Sequence, residues 1–284
     1  MLTKGELLNR MEILYPHDAC LADLRRAYID HDLGSIFRLM SAYHNVDAVA
    51  FEDLRKFLLA DNTWSMYRLI LGLQDNQLIR TIKSCHSSSI LFDNDSLSQG
   101  QLNSKMWLIN ELKTLDINLG TVFLCAGWYG ILAMLMFEHD IKMGRVRSFD
   151  IDPTVAMIAD KFNAPWVKTG WRFKASTLDI MDINYPTHYT VERADGTSLD
   201  LEEMPDTIIN TSCEHINNFT KWYANIPAGK IVILQSNDYT DIEEHVNCVH
   251  SKEEFDDQVP MRQCLYLGEL PTDKYNRYMK IGIK

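Results

Sequence analysis

The segment 121–137 reads TVFLCAGWYGILAMLMF and decides the fold of the chain. Its apolar run Val122–Cys125 is typical of a strand that is buried on both faces. Gly127 and Gly130 follow at once, and glycines there allow a tight turn and a close approach of the backbone to a ligand. Residues 131–137 then predict an apolar helix that packs back on the strand. Because the free amides at the start of such a helix favour anionic groups, we expect the turn to cradle a ligand.

An acidic residue stands at the end of the next predicted strand. Residues 146–150 read VRSFD, and Asp150 lies 23 positions after Gly127. At this spacing a carboxylate reaches a ribose hydroxyl beside a nucleotide-binding turn. A glycine pair alone is as often a device for helix packing, but the pair together with the spaced acid indicates a nucleotide site.

Three further apolar runs end in polar residues. Asp179 follows a strand region, Asn210 ends the run from Asp206, and Asn237 ends the run 231–237. The carboxyl ends of parallel strands meet at one edge of a sheet, where open α/β sheets bind their ligands. We therefore expect these side chains at the ligand edge, with Asp179 a candidate for the adenine end of a nucleotide.

Two antiparallel pairs are predicted outside the parallel strands. The alternating runs 189–193 and 197–201 surround Asp195-Gly196, a strong hairpin signal, and we expect this hairpin at the ligand-facing side or rim of the sheet. Near the C-terminus, Cys264–Leu267 and Tyr278–Ile283 predict two strands that are joined by a loop containing Pro271 and close the sheet.

Length and composition suit one large domain with a smaller partner. The chain has 284 residues, of which 46% are hydrophobic and 24% charged. Helical periodicity predicts a small all-α domain over 1–83, a linker over 84–100 and an α/β domain over 101–284. The last domain begins with a predicted helix whose polar start offers Ser98, Gln101 and Lys105 for folding over a ligand, with plain capping and solvation as the alternative.

Charge and cysteine usage restrict the partners and the compartment. The net charge of −11 and the pI near 5.2 argue against nucleic acid as a partner. The stretch 166–174 interleaves basic and aromatic residues, but Lys168, Arg172 and Lys174 alternate as on the solvated side of a strand. Six scattered cysteines without a C-x-x-C pair fit a reducing cytosol. No run reaches the roughly 18 apolar residues of a membrane span, so we expect a soluble cytoplasmic protein without a membrane partner.

The order of these motifs resembles the class I S-adenosylmethionine-dependent methyltransferases across about residues 101–284. That family places a glycine-rich turn after the first strand and acids after the second and third. It often carries a Glu-His pair after the fourth strand, and here Glu214-His215 matches it. The resemblance implies a Rossmann-like α/β fold, with a mostly parallel sheet and a C-terminal antiparallel pair, preceded by the small all-α domain. The glycine motif is atypical, because Leu124, Ala126, Trp128 and Gly130 occupy the register of the family's acid and three glycines.

The resemblance further implies the cofactor, the reaction and the site. S-adenosyl-L-methionine is the expected cofactor, and the expected reaction is methyl transfer to a hydroxyl or amine of a small-molecule or protein acceptor. Glu214 and His215 are the candidate catalytic bases, although they would serve equally well as caps of the following helix. The residues expected to bind the cofactor are Gly127, Trp128, Tyr129, Gly130, Asp150, Ile151, Asp179, Ile180, Asn210, Gln101 and Lys105.

Three alternatives stay open at this point. Cys125-x-Gly127-x-x-Gly130 is one glycine short of the dinucleotide fingerprint, so an NAD-dependent oxidoreductase is the second reading. Trp128 in a glycine position also suits a non-catalytic binding protein on a decayed methyltransferase fold. His245, Cys248 and His250, with Glu243 or Glu244 nearby, match no standard zinc spacing, and we predict no metal. The identity of the acceptor and the oligomeric state are open.

Overall fold

The computed structural model describes residues 77, 81, 92–193, 196–272 and 274–284. The chain divides into two compact units, Met1–Gln99 and Gly100–Lys284. Almost all of the predicted helical domain at 1–83 and the first part of the predicted linker lie outside the described residues. In the first unit the structure describes a 3-10 helix, Asn94–Leu97, whose N-terminus is capped by Asp93.

The second unit alternates strands and helices as the apolar runs predict. Its strands are β1 (Thr121–Cys125), β2 (Arg145–Asp150), β3 (Phe173–Thr177), β4 (Thr187–Glu192), β5 (Ser198–Glu203), β6 (Thr207–Asn210), β7 (Ile231–Asn237), β8 (Gln263–Pro271) and β9 (Asn276–Ile283). Its helices are α1 (Gln99–Leu115), α2 (Ile131–Glu138), α3 (Val155–Phe162), α4 (Ala164–Lys168), α5 (Phe219–Asn225) and α6 (Lys252–Gln258), with 3-10 turns at Ile180–Asp182 and Cys213–His215. None of the helices in the described part of the chain is long and apolar enough to cross a membrane.

Seven of the described strands form one sheet in the order β3-β2-β1-β6-β7-β9-β8. Neighbours from β3 to β7 are parallel, whereas β9 is antiparallel to both β7 and β8. This confirms the predicted Rossmann-like α/β fold with its C-terminal antiparallel pair. Pro271 is the last residue of the edge strand β8 rather than part of a loop. Proline suits the end of an edge strand, because proline has no backbone N–H to donate to a neighbouring strand.

Alternate residues of the strands face two different layers. Phe123 and Phe149 lie in a buried cluster with residues of α5, α6 and the β4–β5 hairpin, such as Tyr223, Phe255 and Val191. On the opposite face, Gln235 of β7 meets α1 through its contacts with Ser104. The apolar character of β1, β2 and β6 follows from this arrangement, since each central strand is covered on both faces.

The predicted hairpin forms. β4 and β5 pair with each other as a separate two-stranded sheet, and Tyr189 packs edge-on against Phe149 with ring centroids 5.1 Å apart. At the end of β5, Glu203 accepts hydrogen bonds from Arg145 and Arg147, which belong to the first half of β2. The hairpin therefore covers one face of the large sheet, and its base is anchored toward the amino end of β2. Its expected position at the ligand-facing side or rim stays a prediction.

The basic stretch 166–174 is not a single strand. Lys168 ends α4, Arg172 precedes β3, and only Lys174 lies on that strand, where it forms an ion pair with Asp160. The predicted alternation of three basic residues along one strand is therefore wrong. Pro165 at the start of α4 explains the difference, because proline is well suited to the first turn of a helix.

Candidate active site

The carboxyl ends of the parallel strands meet around β1, which lies between β2 and β6. From β1 the chain first builds outward through β2 and β3 and then returns to the other side of β1 with β6 and β7. Such a reversal of direction is a topological switch point, and it leaves a crevice outside the carboxyl ends of the two diverging strands. The turn after β1 and the segment after β6 flank this position.

The turn after β1 has the backbone conformation of a glycine-rich motif. Of the three alternating positions that are glycines in such a motif, only the last is a glycine here. Ala126, Trp128 and Gly130 have φ angles of 52°, 47° and 64°, the left-handed conformation that glycine adopts most readily. Gly127 N donates to Phe149 O at 3.0 Å, and Gly130 N donates to Gly127 O at 2.8 Å. The three positions that the sequence aligned with the family's glycines are therefore the three that have left-handed φ angles.

Gly127 and Gly130 make room for the protein itself. A Cβ added to Gly127 would overlap with Ser148 Oγ, and one added to Gly130 would lie 2.9 Å from Phe173 Cζ. Both substitutions would force neighbouring side chains of the core to move. The steric need for these glycines is thus a need of packing, and any contact of Gly127 or Gly130 with a cofactor would be made by the backbone.

Two aromatic side chains follow Gly127 in the turn. The rings of Trp128 and Tyr129 are stacked, with centroids 5.0 Å apart and an interplanar angle of 24°. Tyr129 is buried, whereas Trp128 is half-buried. Only Trp128 of this stacked pair is therefore accessible to solvent to any substantial extent.

The two predicted acids do lie at the carboxyl ends of neighbouring strands. Asp150 Oδ2 accepts from Trp128 N at 2.8 Å and its Oδ1 accepts from Asp152 N at 3.1 Å, so that this carboxylate holds the β1 turn. Asp179 caps the 3-10 helix by accepting from Met181 N at 2.8 Å. Each carboxylate oxygen has a second lone pair for a ligand.

The remaining predicted cofactor residues differ in exposure. Ile151 is exposed and Ile180 is buried in the core. On α1, Lys105 is buried and its Nζ donates to Gln101 Oε1 at 2.5 Å, so these two predicted residues bind each other. Asn210 is fully buried at the end of β6, and its Oδ1 accepts from Ser212 N at 2.8 Å. Its Nδ2 has no hydrogen-bond partner among the described residues.

Glu214 lies in a buried polar network. Its Oε1 accepts from Asn237 Nδ2 at 2.6 Å and from Arg277 Nη2 at 3.0 Å. Arg277 also donates to Ser104 Oγ at 2.8 Å, which in turn donates to Gln235 Oε1. Helix α5 begins only after Asn218. The prediction that Glu214 caps this helix is therefore wrong.

His215 is packed against a second histidine that the sequence analysis did not connect with it. The rings of His215 and His245 are 4.5 Å apart and nearly perpendicular, at 84°. Partial burial lowers the pKa of His215, and His245 contributes in the same direction while Glu214 opposes it. His215 is therefore held in its neutral form at pH 7, in which one ring nitrogen can accept a proton.

Glu214, His215 and His245 together can hold a cation. One ligating atom of each lies within 4.8 Å of the others, the one such group in the described part of the chain. Of the set weighed from the sequence, only His245 belongs to it. Cys248 instead donates to Tyr239 O at 3.3 Å, and burial together with Glu214 and Asp238 raises the pKa of its thiol.

No family model matches the chain, and no curated protein matches it. Among solved structures, it is similar to the N-methyltransferase NodS from Bradyrhizobium japonicum WM9, with 12% identity, a TM-score of 0.43 and coverage of 64% of this chain and 97% of the other. It is also similar to a magnesium protoporphyrin IX methyltransferase from Synechocystis PCC 6803 with bound SAM, with 11% identity, a TM-score of 0.42 and coverage of 68% and 86%.

A third similar structure is a putative sarcosine dimethylglycine methyltransferase from Galdieria sulphuraria. It shows 7% identity and a TM-score of 0.46 and covers 72% of this chain and 97% of the other. The descriptions of all three structures name a methyltransferase. Identities and TM-scores of this size assign no activity, and the fold assignment rests on the strand order and register of the sheet.

Proposed function

We propose that the protein transfers a methyl group from S-adenosylmethionine to a hydroxyl or amine of a small-molecule acceptor. The observation that carries this proposal is the link between the β1 turn and the acid of β2, where Asp150 Oδ2 binds Trp128 N at the switch point of the sheet. There, backbone amides and a carboxylate with free lone pairs stand side by side, as the ribose and the polar tail of a nucleoside cofactor require.

The residues at the crevice suit this cofactor in a second respect. Asn210 Nδ2 is a buried donor without a partner among the described residues, and it belongs to the strand next to the β1 turn. A buried donor that stays unpaired costs about 1–3 kcal/mol, so a ligand oxygen or ring nitrogen at this place would stabilise the protein. We assign Asn210 and Asp150 to the cofactor on these grounds.

The reversed edge of the sheet favours methyl transfer over the dehydrogenase reading. The dinucleotide fold continues its order 3-2-1-4-5 with a sixth parallel strand. Here the strand next to β7 is β9, and it is antiparallel. The methyltransferase resemblance includes such an edge, whereas an NAD-dependent fold does not require it.

The acceptor side of the site is assigned to Glu214 and His215. When bound, S-adenosylmethionine supplies an electrophilic methyl group on a sulfonium. A hydroxyl or amine that attacks it must lose a proton, and a positioned base contributes about 10²- to 10⁴-fold to the rate of such a step. His215 is partly exposed and neutral, whereas the charge of Glu214 is neutralised by Arg277. His215 is therefore the better proton acceptor, and Glu214 fixes the segment that carries it.

Calorimetry with S-adenosylmethionine, S-adenosylhomocysteine and NAD tests the proposal. We expect the first two to bind and Asp150→Asn to weaken their binding about tenfold or more, because the charge that meets the ribose is lost while the amide oxygen can still accept from Trp128 N. Asp152→Asn is the matched control, since it removes the same charge two residues away at an exposed position.

The other results each point to a different protein. Binding of NAD alone would support the oxidoreductase reading. Binding of none of the three ligands would support the non-catalytic reading. If Asp150→Asn and Asp152→Asn bind S-adenosylmethionine equally well, Asp150 does not hold the ribose and the cofactor assignment of this edge is wrong.

A further inference from the structure

Three side chains from two separate loops converge beside the acceptor side of the site. Glu214 and His215 follow β6, and His245 belongs to the segment after β7. Their ligating atoms lie within 4.8 Å of one another. The two imidazole rings meet edge to face rather than stacked, with centroids 4.5 Å apart.

One histidine of the cluster has a ring nitrogen bound to a backbone carbonyl. His245 Nδ1 lies 2.5 Å from Tyr239 O, so this nitrogen carries the hydrogen and donates it. Metal-binding histidines characteristically donate their second N–H to a carbonyl or carboxylate, which fixes the tautomer and leaves the other nitrogen as a ligand. The ring of His245 is held in that way.

Glu214 completes the set with an oxygen that the protein does not use. Its Oε1 receives two donors, from Asn237 and Arg277, but its Oε2 is buried and without a hydrogen-bond partner among the described residues. The side chain as a whole is only 2% exposed. Since buried polar atoms are nearly always satisfied in native structures, the idle oxygen calls for a donor or a cation beside it.

We infer that Glu214, His215 and His245 bind a divalent transition-metal ion. Two imidazoles and one carboxylate suit zinc, manganese, iron or cobalt, whereas magnesium and calcium prefer oxygen ligands alone. Three protein ligands leave at least one coordination position open for water or a substrate oxygen. Arg277 neutralises the glutamate from the side of Oε1, so the ion would be held mainly by the imidazoles.

A metal ion at this place would also restrict which methyl acceptors the protein can use. This part of the inference rests on the proposed function. A divalent ion lowers the pKa of a bound hydroxyl, so it favours an acceptor that presents a hydroxyl oxygen over one that presents an amine. In the transfer, the hydroxyl releases its proton to water and a new C–O bond forms to the methyl carbon. The C–S bond breaks and leaves its electron pair on the sulfur, which becomes a neutral thioether. The metal then takes over from His215 the task of preparing the hydroxyl.

Cobalt(II) is a suitable probe because its binding can be followed by calorimetry and by visible absorption. We expect one Co²⁺ per chain in the full-length, EDTA-treated protein. His245→Ala should weaken binding about tenfold or more, because changes to the metal shell cost at least this much in affinity. His250→Ala is the matched control: it removes a histidine of the same segment whose exposed side chain is outside the cluster.

Two results would overturn the inference. One is the absence of Co²⁺ binding to the wild type at millimolar concentration, and the other is equal binding by the wild type and the His245→Ala variant. Circular dichroism and thermal melting show whether His245→Ala is folded, and His245→Asn repeats the test if it is not. S-adenosylhomocysteine binding is measured on the same EDTA-treated protein. If the protein binds cobalt but not S-adenosylhomocysteine, the metal site is retained and methyl transfer is rejected. If it binds S-adenosylhomocysteine but not cobalt, only the metal site is rejected.

Discussion

Glu203 and Glu214 each form an ion pair with a buried arginine, and they differ in how their two carboxylate oxygens are used. Glu203 uses both carboxylate oxygens, since Arg147 donates to Oε2 at 2.7 Å and to Oε1 at 3.0 Å, and Tyr189 donates to Oε2 at 2.5 Å. Glu214 receives both of its donors on Oε1 and leaves Oε2 idle. The first carboxylate is saturated by the protein, and the second is half saturated.

On the inference drawn above, the difference separates a structural ion pair from one that is prepared for a ligand. Glu203 joins the β4–β5 hairpin to β2, and both of its oxygens serve that junction. Glu214 follows the carboxyl end of β6, and its Oε2 has no hydrogen-bond partner among the described residues. A burial value alone would not distinguish the two, because both side chains are largely hidden from solvent.

Glu203→Gln should give the largest change in stability. In either orientation the amide nitrogen faces an N–H of Arg147, which can only donate, and Arg147 is left buried without its counter-charge. Breaking a buried pair costs about 3–5 kcal/mol, and we expect about 2–4 kcal/mol here because Arg145 faces solvent. Urea unfolding measures the loss. A loss below about 1 kcal/mol would mean that the hairpin junction does not depend on the carboxylate.

Glu214→Gln should cost less, about 1–2 kcal/mol of unfolding free energy. The amide oxygen can keep both bonds from Asn237 and Arg277, and the amide nitrogen can occupy the position of the idle Oε2. Arg277 loses its counter-charge as Arg147 does, but no donor is brought to face another donor. The same urea experiment, run in EDTA, compares the two variants directly. If Glu214→Gln is as costly as Glu203→Gln, the two carboxylates are equally saturated and the contrast between them is wrong.

The smallest expected effect is a difference in acid sensitivity. Burial by itself would raise the pKa of Glu203, but the hydrogen bonds from Arg147 and Tyr189 outweigh it and lower this pKa from its ordinary value of 4.5. Its contribution to stability is therefore complete above pH 4.5 and is lost as the pH falls through the lower folded-state pKa. The gap between wild type and Glu203→Gln should shrink in acid, as followed by melting temperature between about pH 6 and pH 3. A constant gap would show that the carboxylate is not ionised in the folded protein.

The sequence was sufficient for those parts of the fold that local patterns encode. The apolar runs predicted β1, β2, β6 and β7, and Asp195-Gly196 predicted the hairpin, because strand burial and turn chemistry depend on adjacent residues. The acid of β2 was placed at the turn after β1, where Asp150 binds Trp128 N. The roles of these residues toward a cofactor stay predictions.

The polar network around Glu214 could not be read from the sequence. Arg277 is 63 residues from Glu214 and 173 from Ser104, and no local pattern marks it as their partner. The strand β9 brings it there only because that strand inserts between β7 and β8. His245 was noted, but with Cys248 and His250 of its own segment, since spacing along the chain says nothing of a partner that follows another strand.

The φ angles of the turn after β1 bear on how relatives of this protein can be recognised. Ala126 and Trp128 adopt the left-handed conformation without being glycines, at a cost of roughly 1–2 kcal/mol each, and Asp150 helps to hold them there. A search for the letters of a glycine motif finds only its last position in this chain. A search for three alternating residues with left-handed φ angles, and for a carboxylate at the end of the next strand that accepts from the amide of the second of them, would find this chain. It would also find other chains that keep the backbone conformation of the motif without its glycines.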